Sequence, residues 1–187
     1  MRQSSLFPPA AGDSGGGGAA PGGGSGWATP GSASASPARG VGPAGCVVAQ
    51  PIDLVGLLAG GHHPAAGAMV LFSGEVRESN LGKKVAFLEY EAHVPLAEKM
   101  VAEILAEARE RWNLTVAIAQ HRIGRVEIGE TAVVVITASA HRSEAYIANR
   151  HIIDRIKHEA PIWKCEHYLD GTKEWGNNCN CYPADLL

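Results

Sequence analysis

The stretch from residue 131 to residue 168 most constrains the fold, because it predicts a strand, a helix and a second strand in immediate succession. TAVVVITAS, residues 131–139, is rich in β-branched residues and is typical of a buried strand. In the helix that follows we expect Ser143 to be the N-cap and Pro161 to end the element. Residues 162–168 then predict a last strand. The remainder of the chain must supply the elements that pack against these three.

Upstream of this stretch the sequence predicts a long hairpin. Residues 68–77 place Val70 and Phe72 on one side at a period of two, and residues 85–93 alternate in the same way. The loop between the two runs is short and contains glycine, so we expect them to pair with each other.

The other predicted elements are shorter or amphipathic: a strand at 46–50, a helix at 54–59 capped by Asp53, a helix with Pro95 in its first turn, a strand at 114–120, and two glycine-centred turns within 121–130. The helix after residue 139 should bury an inner face formed by Tyr146, Ile147, Ile153 and Ile156. This order predicts an α+β domain with a mainly antiparallel sheet and helices packed against it.

Composition divides the chain into one domain and two tails. Residues 1–45 carry 13 Gly and 6 Pro, and such a segment buries too little apolar surface to fold, so we predict that it is disordered. It lacks the apolar core of a secretory signal, whereas its Ser and Ala content leaves a chloroplast-type transit peptide as an alternative. The predicted domain is 46–176, and 177–187 form a C-terminal tail.

Charge and cysteine content exclude several classes of protein. The net charge of −3, without a basic stripe, argues against a nucleic-acid binder. No apolar stretch approaches the length of about 18 residues that predicts a membrane span. The four cysteines are too sparse and irregular for a secreted disulfide framework, so we expect reduced thiols and a cytoplasmic location.

Cationic side chains cluster around the helix after residue 139. His141 and Arg142 stand at its beginning, where free N–H groups and the helix dipole favour an anion. Lys157 lies in its last turn, Lys164 interrupts the otherwise apolar strand that follows, and Arg77 ends an upstream strand. We therefore predict an anion-binding site built from these residues.

Each of these residues also has a purely structural interpretation. Arg142 could pair with a nearby acid, Lys157 is favoured by the helix dipole without any function, and Arg77 alone would be an ordinary surface residue. Cys179 and Cys181, with Cys165 and His167 upstream, could imitate a zinc site. A single C-x-C does not have the spacing of structural zinc sites, so we expect no metal and no cofactor.

Four blocks of sequence together resemble one enzyme family. GAMVLFSGEVRESNLGKKV, HRIGRVEIGE, ITASAHRSEAY and KHEAPIWKCE follow one another in unbroken order, and over residues 46–175 the chain resembles the catalytic (large) subunit of molybdopterin synthase. The resemblance implies an α/β-hammerhead-like fold and a homodimer. Each end of that dimer would bind a small ubiquitin-like (β-grasp) sulfur carrier, which gives a heterotetramer.

The resemblance also implies the reaction and its residues. Sulfur from the carrier's C-terminal thiocarboxylate would convert cyclic pyranopterin monophosphate (precursor Z) to molybdopterin, in molybdenum cofactor biosynthesis. Lys157 and Lys164 match the two catalytic lysines of the family. The matched substrate-binding residues are these two lysines together with Glu75, Val76, Arg77, His141, Arg142, Cys165 and Glu166.

Within that expectation we assign proton transfer, or direct handling of the carrier terminus, to Lys157 and an electrostatic clamp to Lys164. The sequence departs from the family after Trp175, where GNNCNC replaces a segment whose arginine reaches the partner subunit's site in bacterial members. The alternative function is a non-catalytic protein whose basic pocket holds the C-terminal carboxylate of a β-grasp partner.

Overall fold

The computed structural model describes residues 45–176. The predictions made for the tails, 1–45 and 177–187, therefore fall outside the described residues except at Gly45. The described elements are, in order, β1 (Val47–Val48), α1 (Leu54–Gly60), β2 (Ala68–Glu75), β3 (Ser79–Asn80), β4 (Lys83–Ala92), α2 (Val94–Arg111), β5 (Val116–Arg122), β6 (Gly124–Glu127), β7 (Thr131–Ser139), α3 (Arg142–Glu159), β8 (Ile162–Tyr168) and β9 (Lys173–Gly176).

The strands form two sheets. The first has the order β1-β5-β7-β2, in which β1 is parallel to β5 and the other neighbours are antiparallel. The second has the antiparallel order β3-β4-β8-β9, and β6 also pairs with β4. Helices α2 and α3 cover one face of the first sheet, and α1 covers the other. The predicted α+β class is confirmed, with two sheets in place of the single sheet expected.

The predicted hairpin between residues 68–77 and 85–93 is wrong. Strand β2 pairs with β7, with Val70 opposite Thr137, and β4 pairs instead with β8 in the second sheet. Strand β7 is buried along nearly its whole length, so hydrogen-bonded neighbours on both edges satisfy its backbone, and β5 and β2 occupy those edges. The short hairpin that does form is β3–β4, joined by Leu81 and Gly82, both at positive φ.

Helix α3 buries a different face from the one predicted. Tyr146 and Ile147 are 63% and 42% exposed, whereas Ile153 and Ile156 are buried as expected. The phase of the helix is set by buried Asn149, whose Nδ2 donates to Val70 O at 3.2 Å, Val135 O at 3.1 Å and Thr137 Oγ1 at 3.3 Å. The rest of the buried face consists of Ala145, Ala148 and Ile152.

The ends of the helices agree with the sequence in two cases and differ in one. Asp53 caps α1, its Oδ1 accepting from Gly56 N at 3.0 Å, and Pro95 stands in the first turn of α2 as expected. The N-cap of α3 is His141 rather than Ser143, and it makes no side-chain capping bond. Strand β6 lies where only turns were predicted. Within the described range, no helix has the length and apolar character required to cross a membrane.

Candidate active site

A cavity of about 220 Å³ lies where the two sheets meet the C-terminal end of α3, and we call it the basic cavity. Strands β2, β4, β5 and β8 all contribute to its wall. Three cations line it: Arg77, which follows β2, Lys157 in the last turn of α3, and Lys164 on β8. Three of the four arginine and lysine side chains predicted for one anion site therefore converge within a single chain, whereas Arg142 does not line the cavity.

Periodicity explains how β8 presents its side chains. Alternate residues of a strand point to opposite faces, so Ile162, Lys164 and Glu166 line the basic cavity while Trp163, between them, is 51% exposed on the other side. The lysine that interrupts the apolar run in the sequence is thus directed inward.

Lys157 is half-buried and lies next to other cations. Burial lowers the pKa of its ammonium group, and the charges of Lys164 and Arg77 lower it further, while Asp154 acts in the opposite direction. Among the described residues Lys157 makes no ion pair, and its Nζ lies 6.0 Å from the centre of the Phe72 ring. A lysine in these surroundings can lose its proton more easily than an ordinary one.

Lys164 is held by a carboxylate. Its Nζ lies 2.7 Å from Glu166 Oε1, and Glu166 is only 4% exposed. Asn80 Nδ2 and Tyr168 Oη also donate to the Glu166 carboxylate, at 2.9 and 3.0 Å. Burial by itself raises the pKa of Glu166, but the hydrogen bonds from Lys164 and Asn80 outweigh it, so the pKa lies below its usual value. Lys164 is therefore a fixed charge next to an ionised carboxylate.

Two further titratable residues of the cavity wall were not predicted from the sequence. His121 is buried on β5, its Nδ1 lies 2.8 Å from Arg122 O, and its ring meets the Tyr90 ring edge-on at 5.0 Å. Burial lowers the pKa of His121 to about 4, and the charge of Lys157 adds to this effect. Burial, with the charge of Glu166, raises the pKa of Tyr90 to about 12. The alternation Ala117, Ala119, His121 along one face of β5 is the signal that could have identified the histidine.

The low pKa of His121 predicts a loss of stability in mild acid. In the unfolded chain the ring takes up a proton near pH 6.5, whereas the buried ring stays neutral until about pH 4. The unfolded state binds the extra proton in this window, so the free energy of unfolding falls by up to about 3 kcal/mol as the pH drops through it. Urea unfolding measures this change. Over the same pH range we expect the free energy of unfolding to fall less for His121→Gln than for the wild type. Equal falls would show that His121 is not the group responsible.

Four of the other predicted site residues lie outside the basic cavity. His141 and Arg142 are exposed at the first turn of α3, about 22 Å along the helix from Lys157 at a rise of about 1.5 Å per residue. Val76 and Cys165 are 3% and 1% exposed and do not line the basic cavity, and burial raises the pKa of the Cys165 thiol. Glu75, by contrast, lines the basic cavity.

The alternative of a zinc site involves Cys165 and His167, which the structure describes, and two cysteines that it does not. Between residues 45 and 176, no three His, Cys, Asp or Glu side chains are grouped so that they could hold a metal ion. Cys179 and Cys181, on which that interpretation chiefly rests, fall outside the described residues, as does the segment that departs from the family pattern apart from Gly176.

Comparison with known proteins gives consistent matches. A family model described as "MoaE protein" matches residues 47–159, from β1 to the end of α3. The molybdopterin synthase catalytic subunit of Staphylococcus carnosus is 47% identical over 125 residues, covering 67% of this chain and 83% of the relative. That of Halalkalibacterium halodurans is 44% identical over 125 residues, covering 67% and 80%. A crystal structure of molybdopterin synthase from Staphylococcus aureus matches with a TM-score of 0.67 and 39% identity, over 71% of this chain and 96% of that chain.

Proposed function

The chain belongs to the MoaE family of molybdopterin synthase catalytic subunits, enzymes of molybdenum cofactor biosynthesis, and we propose that it transfers sulfur from a carrier protein to a cyclic pyranopterin monophosphate. The observation that carries this proposal is the basic cavity, in which Lys157 on α3 and Lys164 on β8 converge with Arg77, which follows β2. The proposed sulfur donor is the C-terminal thiocarboxylate of a small β-grasp carrier, and the proposed setting is the cytoplasm.

The charges of the cavity suit these two reactants. A thiocarboxylate and a cyclic phosphate are both anions, and they repel each other strongly in a site that excludes water. Three cations held by strands and by the end of a helix offset that repulsion without moving during the reaction. The main task of the protein is thus to position two anions side by side, because the thiocarboxylate sulfur is already a competent nucleophile.

The chemistry requires that a proton reaches the displaced oxygen and that another leaves the attacking water. Each sulfur transfer forms a bond between the thiocarboxylate sulfur and a carbon of the pterin side chain, displaces an oxygen from that carbon, and ends when water cleaves the acyl–sulfur bond. Lys157 is the proposed proton donor and acceptor, since its pKa is lowered and it makes no ion pair within the described residues. Lys164, fixed by Glu166, is the proposed clamp for the developing negative charge.

The other predicted substrate-binding residues take different places relative to the basic cavity. His141 and Arg142 lie at the far end of α3 from Lys157, so we propose that they complete the site of a second copy in a homodimer. With one carrier bound at each end, the assembly is a heterotetramer. Glu75 and Glu166 line the cavity directly, whereas Val76 and Cys165 are buried outside its wall, where they hold the backbone between lining residues.

A reconstituted reaction tests the proposal. We expect the purified protein, mixed with a thiocarboxylated carrier and cyclic pyranopterin monophosphate, to form molybdopterin. The same carrier ending in an ordinary carboxylate should bind without giving product, because it contains no sulfur to transfer. Carrier binding with no product from the thiocarboxylated form would instead support the non-catalytic binding protein.

A further inference from the structure

Asn80 connects two of the three cations of the basic cavity. Arg77 Nη2 donates to Asn80 Oδ1 at 3.2 Å, and Asn80 Nδ2 donates to both oxygens of Glu166 at 3.0 and 2.9 Å. Glu166 in turn holds Lys164 Nζ at 2.7 Å. One side chain therefore lies between a guanidinium group and the carboxylate that anchors an ammonium group.

The connection needs an amide at this position. Its oxygen faces a group that can only donate, and its nitrogen faces a group that, when ionised, can only accept. A carboxylate would satisfy Arg77 but repel Glu166, and an aliphatic side chain would satisfy neither. Only one orientation of the Asn80 amide fits both neighbours.

Local structure holds Asn80 in place. It ends β3 and stands directly before the two-residue turn of Leu81 and Gly82, whose φ angles are 48° and 80°. Positive φ at both turn positions is typical of the tight type I′ hairpin, and Asn80 is paired with Lys83 across it. The hairpin thus places this amide at the edge of the basic cavity, 86 residues from Glu166 in sequence.

We propose that Asn80 is a positioning residue of the sulfur-transfer site, which fixes the spacing between Arg77 and Lys164 by hydrogen bonding to Arg77 and to Glu166. This inference rests on the proposed function, because the two cations are those that would bind the substrate phosphate and stabilise its charge. Asn80 acts through its neighbours and forms no bond with the substrate.

The positioning role of Asn80 can be tested through the ionisation of Glu166, so the groups around this carboxylate matter. Asn80 faces the carboxylate from β3, and Lys164 and Tyr168 face it from β8. From the neighbouring strands, Tyr90 on β4 lies close enough to be influenced by its charge, and Glu174 on β9 shares the Tyr168 hydroxyl at 3.5 Å and is ion-paired with Lys83. Burial opposes ionisation of Glu166, whereas the hydrogen bonds from Lys164, Asn80 and Tyr168 all favour the ionised carboxylate and lower its pKa.

Two substitutions of Asn80 separate its two hydrogen bonds. Asn80→Ala removes both, and we expect kcat/KM to fall about 10- to 100-fold, mainly through a higher KM for the pterin substrate, as for the loss of hydrogen bonds to charged groups. Asn80→Asp keeps the acceptor for Arg77 but sets a second carboxylate against Glu166. At lower pH the two carboxylates can share one proton, which restores a donor between them.

The decisive measurement is the pH profile of both variants in the reconstituted reaction. The quantity to compare is kcat/KM of Asn80→Asp divided by kcat/KM of Asn80→Ala. We expect this ratio to rise at least about fivefold as the pH is lowered from about 8 to about 5.5, because the shared proton binds in that range. A purely structural role of the loop would leave this ratio constant. Glu78→Gln is the matched control in the same loop, because it removes only the exposed pair with Lys84.

Each outcome has a definite meaning. Activity of Asn80→Ala within about twofold of the wild type, a constant ratio across pH, or an equal loss in Glu78→Gln would overturn the inference. An inactive wild-type protein would overturn the proposed function and this inference with it. An active wild type with any of the three contrary results would overturn the inference alone.

Discussion

Replacing Lys157 by alanine is expected to abolish molybdopterin formation while carrier binding survives. Lys157 lies in the wall of the basic cavity, and burial together with the charges of Lys164 and Arg77 lowers its pKa. Loss of a general acid or base slows catalysis by about 10²- to 10⁴-fold. The measurement is single-turnover product formation with bound carrier, accompanied by the Kd for the carrier.

Two further variants sharpen this result. Lys157→Arg keeps the positive charge but cannot release a proton near neutral pH, so it should be nearly as inactive as the alanine variant. Lys99→Ala, which removes an exposed lysine of α2 paired with Glu103 at 3.8 Å, is the matched control and should retain full activity. Near-normal turnover of Lys157→Ala would exclude the proton-transfer role, and full activity of Lys157→Arg would reduce that role to charge alone.

Ile152→Ala is expected to produce the largest loss of stability. Ile152 is 0% exposed in the layer between α3 and the first sheet, and it belongs to the same hydrophobic cluster as Ile104, Val135 and Ile156. Truncation of a fully buried isoleucine removes apolar burial and leaves a cavity, which costs about 2–5 kcal/mol. Urea unfolding at constant pH measures the change in the free energy of unfolding.

Ile147→Ala is the matched control for this variant, because it removes the same atoms from the same helix at a position that is 42% exposed. Its expected cost is at most about 1 kcal/mol, since water already reaches the side chain and no closed cavity forms. Equal losses in the two variants would contradict the observed phase of α3 and restore the inner face predicted from the sequence.

Local signals in the sequence were sufficient for much of the secondary structure. The strand at Thr131–Ser139 and the strand at Ile162–Tyr168 were predicted with their observed bounds, and Asp53 caps α1 as expected. These features depend on residues that are neighbours in the chain: β-branched side chains in a row, a carboxylate placed before a helix, and Pro161 at its end. Rules that act over a few residues therefore placed these elements, although they misplaced the N-cap of α3, which is His141 and not Ser143.

Strand pairing and helix phase depended on contacts between distant residues. The hairpin of residues 68–77 with 85–93 was plausible locally, yet β2 pairs with β7 because a strand buried on both faces needs neighbours on both edges. Ile153 and Ile156 of the predicted inner face of α3 are buried, but Asn149 and two alanines lie against the sheet in place of Tyr146 and Ile147. A polar side chain bonded to three groups on two strands outweighs the burial of Tyr146 and Ile147 at those positions.

The sequence alone predicted that Lys164, which interrupts an apolar strand, is directed at a site, and this lysine lines the basic cavity. The place of Lys157 in the last turn of a helix had a purely structural explanation by itself, yet this lysine lines the same cavity. Only the tertiary structure decided which other groups join them. His121 reaches the cavity on β5, and Asn80 meets Glu166 there although 86 residues separate the two in the sequence. Lys157 and Arg142 lie near opposite ends of the same helix, α3. Local periodicity directs a side chain to one face of its element, but only the packing of elements decides what that face meets.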